Sequence, residues 1–152
     1  MTQKVSKDWY IAATHYLTAG FAIPFLISAA FTLATIPFIG MDENGNLVNG
    51  NAQTFMYFAP IIVGIIATWF GVMYSSRFLK KRYVIPDANR IIKLSTIYFA
   101  AIFLIFEVWL VVSELYAPQM PTSEFLEYVG TDVLFGIVGT YIFYAASVKY
   151  LR

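Results

Sequence analysis

The chain has 152 residues, of which 59% are hydrophobic and 12% are charged, whereas a soluble domain carries roughly 25% charged residues. A water-soluble fold of this length could not bury so much apolar surface, so we expect a bilayer to solvate part of it. The net charge of +1 gives no reason to expect a nucleic-acid partner. The absence of cysteine excludes a disulfide framework, an iron–sulfur centre, a thiolate metal site and a cysteine nucleophile.

The first apolar run predicts one long membrane span over about 9–39, with Ser6 as the candidate N-cap. No charged residue interrupts this run, and a bilayer core needs only about 20 apolar residues in helical form. Pro24 should kink the helix and not end it, because membrane helices tolerate proline. The run is too long for the apolar region of a cleaved signal peptide, so we expect it to remain as a span. An outer loop is expected at 40–54.

Three more apolar runs follow, separated by short polar segments. The predicted elements are, in chain order, span two at about 55–82, a cytoplasmic loop at 83–89, span three at 90–115, an outer loop at 116–122 and span four at 123–149. Pro86 should end the helix of span two, and Asp87 should cap the next helix. Because short loops make successive helices neighbours, we expect a single all-α transmembrane domain over 1–152, an antiparallel up-down bundle of four helices.

The basic residues predict the orientation of these spans. All ten Lys and Arg residues lie in the N-terminal tail, around the loop between spans two and three, or at the C-terminal end. Four spans place these three segments on one side, which the positive-inside rule makes cytoplasmic. We therefore expect both termini in the cytoplasm and a prokaryotic-type cytoplasmic (inner) membrane.

Two carboxylates within the apolar runs are candidates for chemistry. Glu107 is expected about 20 Å above the cytoplasmic interface of a core about 30 Å thick, and Asp132 at a comparable depth. Charged groups at such depths usually face protein, a wet cavity or a partner, because hydrocarbon does not solvate them. A proton relay or cation site is one interpretation; the other is that each carboxylate reaches interfacial water or a hydroxyl group across the bundle.

His15 is the single histidine of the chain and is expected about 9 Å inside the cytoplasmic end of span one. It lies too far in depth from Glu107 to share a metal ion with it, and one histidine cannot supply both axial ligands of a bis-histidine haem. We therefore expect no metal site and no cofactor within the chain. A hydrogen bond to a neighbouring helix is favoured over metal binding between subunits.

Two further groups of residues indicate contacts. Small residues that let helices approach closely lie along one face of span two and of span four, namely Gly64, Thr68, Gly71, Gly136 and Gly139. A basic cluster beside the cytoplasmic loop could contact anionic lipid headgroups or an acidic partner, or could set the topology alone; it comprises Arg77, Lys80, Lys81, Arg82, Arg90 and Lys93.

No Walker loop, HExxH, GxSxG or Rossmann signature is present, so no catalytic residue is assigned. We expect a non-catalytic accessory subunit that stabilises a larger multi-subunit membrane complex through helix packing and lipid contacts. In size and four-span plan the chain is similar to small accessory subunits of membrane monooxygenases and haem–copper oxidases, although no residue motif carries that likeness. The alternative is a small homo-oligomeric ion or solute transporter or channel that uses Glu107 and Asp132; a membrane enzyme acting on lipid or quinone ranks last.

Overall fold

The computed structural model describes residues 5–35, 50–116 and 121–152, and the regular structure of these ranges is helical. Within them, four helices are long and apolar enough to cross a membrane, at Asp8–Thr35, Ile61–Arg82, Ala88–Tyr116 and Phe125–Leu151. The prediction of an all-α chain with four candidate spans is thus confirmed, and the protein is a multi-pass helical membrane protein.

The helices follow the predicted spans with small differences at their ends. They are α1 (Asp8–Tyr16), a π-helical segment (Leu17–Ala22), α2 (Ile23–Thr35), α3 (Gly50–Arg82), α4 (Ala88–Tyr116) and α5 (Thr122–Leu151). Residues 50–54, predicted as loop, belong to α3, because polar residues mark the membrane edge without preventing a helix from continuing into water. The remainder of the predicted loop at 40–49, the end of span one at 36–39 and residues 117–120 lie outside the described ranges.

The first span changes its helical pitch before Pro24. The backbone N–H of Ile23 donates to the carbonyl of Thr18, five residues earlier, which is the π-helical pattern. In the same pattern the carbonyl of Ala19 would accept from residue 24, but proline has no N–H. The helix therefore continues through Pro24, as predicted, but with one wide turn. In that turn the carbonyl of Ala19 accepts no backbone hydrogen bond from Ile23 or Pro24.

The helices that pack against each other are not always consecutive in the chain. The expectation that short loops make successive helices neighbours is wrong for α3 and α4, since each packs most extensively on the first span and on α5. The short connection at 83–87 constrains only the helix ends, where one apolar cluster joins all four spans. Its buried members are Ile11, Ala12, Leu79, Tyr83, Ile91, Ile92 and Leu151, and a second buried cluster contains Ala19, Val72, Phe143 and Ala146.

Polar contacts fix the helix ends that meet around the first cluster. The carboxylate of Asp87 accepts a hydrogen bond of 3.0 Å from the backbone N–H of Arg90, which confirms the predicted cap of α4. The guanidinium of Arg90 lies 3.5 Å from the carboxylate of Asp8 and so connects α4 to the start of α1. The predicted cap at Ser6 is wrong, because Lys7 occupies the N-cap position of α1 and makes no side-chain capping bond.

Candidate functional site

His15 lies at the centre of a polar cluster that joins three helices. It is fully buried on α1, with Nδ1 2.9 Å from the hydroxyl of Ser75 on α3 and Nε2 3.0 Å from the hydroxyl of Ser147 on α5. Its ring also contacts Phe143, with 5.4 Å between the ring centroids. In the neutral imidazole one nitrogen donates to a serine and the other accepts from a serine, so both nitrogens have partners.

This arrangement follows from side-chain geometry at the points where the helices approach. Serine is small enough to let two helices come together, and its hydroxyl can donate or accept as the imidazole requires. The sequence predicted a hydrogen bond from His15 to a neighbouring helix, and the structure confirms it with two such bonds. The partners Ser75 and Ser147 were not predicted, because a serine within an apolar run gives no sign of which helix it faces.

A second set of contacts, between α3 and α5, was also not predicted from the sequence. The indole N–H of Trp69 donates to the hydroxyl of Tyr150 over 3.1 Å, and the ammonium of Lys149 lies 5.2 Å from the centroid of the Trp69 ring. A cation over an indole face is favourable because the ring carries negative charge density there. Both aromatic side chains are partly buried, so the pair contributes to the attachment of α5 to α3.

Glu107 lies opposite the stretch of α5 that follows Asp132, since Glu107, Val133 and Gly136 line one groove. Glu107 is 5% exposed, and its Oε2 atom is buried without a hydrogen-bond partner in the described part of the chain. Asp132 is half-buried on α5 and directly precedes Val133. Glu107 lines a groove between α4 and α5, described in detail below.

The predicted small residues have different surroundings. A Cβ atom added at Gly71 would lie 2.6 Å from the carbonyl oxygen of Ala19 in the π-helical segment, so α3 and the first span approach backbone to backbone there. Gly136 lies directly beneath the ring of Phe103 on α4, and Thr68 is buried. A Cβ atom added at Gly139 would meet only the ring of Phe99, at 3.8 Å. A Cβ atom added at Gly64 would meet no atom within 4 Å.

The basic cluster lies on the surface around the end of α3 and the start of α4. All six of its side chains are exposed. Arg90 pairs with Asp8, and the guanidinium of Arg82 lies 5.7 Å from the ring centroid of Phe78. The structure thus brings these charges together at one end of the spans, beside the apolar cluster that joins the helices.

Across the described ranges, no group of three or more histidine, cysteine or carboxylate side chains is placed to hold a metal ion. No protein-family model, no curated protein and no solved structure matches the chain. The class that the fold defines is a multi-pass membrane protein with four apolar helices in the described ranges, in which His15 joins three helices and the Oε2 atom of Glu107 is one of three buried polar atoms without a hydrogen-bond partner there.

Proposed function

We propose that this protein is a non-catalytic accessory subunit of a larger membrane complex. The observation that carries the proposal is the environment of His15, whose two ring nitrogens are hydrogen-bonded to serines on two other helices. The imidazole is the side chain best suited to proton transfer or metal ligation, and the chain has only one. Both of its nitrogens here form hydrogen bonds that connect helices. This structural role of the histidine supports a non-catalytic subunit.

The outer surfaces of the helices support an assembly role. On α4, between residues 101 and 109, almost every large side chain is exposed, including Leu104, Phe106 and Trp109. The corresponding stretch of α5 exposes Leu134 and Ile137. Lipid chains and neighbouring subunits are the two surroundings that match such surfaces. We expect both, with membrane lipids covering what partner subunits leave open.

The proposal includes an orientation. We propose that successive spans cross a prokaryotic-type inner membrane in opposite directions, with both termini and the basic cluster in the cytoplasm. The support is the positive-inside rule, since every Lys and Arg lies near one end of the spans. The cluster would then contact anionic headgroups of the cytoplasmic leaflet, each basic residue contributing about 1 kcal/mol near such a surface.

Cysteine labelling tests this orientation cleanly, because the chain has no cysteine of its own. We expect the variants Ser6→Cys and Arg152→Cys to react with a membrane-impermeant maleimide in inside-out vesicles and to be protected in right-side-out vesicles. Thr122→Cys, at the opposite end of α5, should show the reverse pattern, and the cysteine-free protein supplies the blank. Labelling of both ends of α5 from the same side would contradict the four-span orientation.

Native mass spectrometry of the protein, gently extracted from its own membranes, tests the subunit proposal. We expect different polypeptides at a fixed stoichiometry, which would also identify the complex. A population containing only copies of this chain would overturn the accessory role. It would favour the second candidate, a small homo-oligomeric transporter or channel.

The observation behind that second candidate is the carboxylate of Glu107, whose Oε2 atom is buried without a hydrogen-bond partner among the described residues. Intramembrane carboxylates of this kind mark proton and cation pathways in transport proteins. The corresponding test is proton or cation flux in liposomes, where Glu107→Gln should abolish the flux and Glu127→Gln, an exposed carboxylate on α5, should preserve it.

A further inference from the structure

The groove between α4 and α5 combines apolar walls with an unsatisfied charge. It has a volume of about 350 Å³, and Phe103, Glu107, Val133, Gly136 and Thr140 are among the residues that line it. On α5, Asp132 directly precedes Val133 and lies one turn before Gly136, two of the residues that line the groove. The hydroxyl of Thr140 donates to the carbonyl of Gly136, and no donor in the described ranges reaches the Oε2 atom of Glu107.

The chain itself cannot supply a cation to this groove. The nearest basic residue on α4 is Lys93, about 21 Å from Glu107 along the helix axis. The nearest on α5 is Lys149, about 25 Å from Asp132. A flexible side chain spans only a fraction of either distance, so Glu107 and Asp132 have no opposite charge within the same chain.

A second copy of the chain, inserted in the same orientation, cannot supply the cation either. Its Lys and Arg residues lie near the same end of the spans, at the same distance from the depth of Glu107. An inorganic cation is also poorly matched, since hard cations such as calcium take six to eight oxygen ligands and the groove is largely apolar. A lysine or arginine side chain is well matched, because its methylene stem suits apolar walls and its head donates several hydrogen bonds.

We propose that this groove, which Glu107 lines and Asp132 adjoins in sequence, receives a lysine or arginine side chain from a transmembrane helix of a different subunit. This inference rests on the proposed accessory function and specifies its partner by chemistry. The basic group lies between the two carboxylates and donates to the Oε2 atom of Glu107. The exposed apolar side chains at the rim, Leu104 and Ile137, pack against the helix that carries it.

Site-specific crosslinking identifies what occupies the groove. The variant Ile137→Cys places a single thiol at the rim, and Ile66→Cys places one on an exposed position of α3 at a similar distance from the cytoplasmic helix end. Each variant is expressed in its native membrane and treated with a photoactivatable maleimide, and the crosslinked peptides are sequenced. We expect Ile137→Cys, and not Ile66→Cys, to capture an apolar segment of another polypeptide that contains a lysine or arginine at a corresponding depth.

Charge variants test whether the contact is ionic. Glu107→Gln should reduce the amount of that polypeptide recovered with the protein by about thirtyfold or more, the effect expected on removing one partner of a buried ion pair. Asp132→Asn should reduce it less, because Asp132 is more exposed, and Glu107→Asp should restore part of it. Glu127→Gln is the matched control and should leave recovery unchanged. Equal thermal midpoints of the variants in detergent establish that they are folded.

The outcomes separate this inference from the proposed function. If native mass spectrometry finds other subunits but the segment at Ile137→Cys carries no basic residue, or recovery survives Glu107→Gln, the inference is overturned and the accessory function stands. Crosslinks only to lipid, or only to a second copy, also overturn the inference. If mass spectrometry finds only copies of this chain, the accessory function falls, and the inference falls with it.

Discussion

Replacing Gly71 with alanine is expected to lower the free energy of unfolding by about 1–3 kcal/mol, the usual cost of overpacking a well-packed interior. The new Cβ atom would lie 2.6 Å from the carbonyl oxygen and 3.2 Å from the Cα atom of Ala19. Because both are backbone atoms, no side-chain rotation relieves the overlap, and α3 must move away from the π-helical segment. Thermal unfolding in detergent, followed by tryptophan fluorescence, measures the loss.

Gly64→Ala is the matched control for this prediction. Gly64 lies two turns from Gly71 on the same helix, and an added Cβ atom there would meet no heavy atom within 4 Å. We expect its unfolding free energy to stay within about 0.5 kcal/mol of the parent protein, as for substitutions away from close contacts. Equal losses in the two variants would show that the effect is one of glycine in a helix generally and would contradict a backbone contact at Gly71.

Replacing His15 with alanine is expected to be at least as costly, at roughly 3 kcal/mol. Removing a fully buried imidazole leaves a cavity, and the lost packing around cavities of comparable side chains accounts for most of this value. The hydroxyls of Ser75 and Ser147 lose their partner as well, which adds an unsatisfied polar group on each of two helices. The same unfolding assay measures the combined effect.

Single serine variants separate packing from hydrogen bonding. Ser75→Ala and Ser147→Ala should each cost about 1 kcal/mol, since each leaves one imidazole nitrogen without a partner. Combined with His15→Ala, either serine substitution should add little, because the bond is already absent. Thr14→Ala serves as the control, since the Thr14 hydroxyl donates to the Tyr10 carbonyl of its own helix. Full additivity of His15→Ala and Ser75→Ala would argue against a shared hydrogen bond.

The four spans could be predicted from the sequence because hydropathy over about 20 residues reflects the bilayer itself and needs no knowledge of packing. The cap at Asp87 could be predicted for a similar reason, since a capping bond depends on residues three positions apart. Each of these properties is set along a single helix.

Properties set between helices could not be predicted in the same way. The sequence indicated Pro24 and Gly71 separately, but nothing in it indicated that the wide turn before Pro24 presents the Ala19 carbonyl to Gly71. The two serines beside His15 were missed because the rotation of α3 and α5 about their axes determines which side chains face inward. The stripe of small residues illustrates the same limit, since Gly64 and Gly71 share a face of α3 but have different surroundings.

The π-helical segment also determines how the two halves of the first span are oriented about their common axis. Each residue of an α-helix turns the chain by about 100°, so one extra residue changes which face the following side chains occupy. A π turn accommodates one extra residue locally, so that the helix on either side keeps its packing face. The face of α1 that carries Ile11, Ala12 and His15 and the surface of α2 are therefore not in one continuous helical phase. The first half of the span can thus hold His15 against the bundle while the second half, which has no fully buried residue, meets α3 in its own orientation.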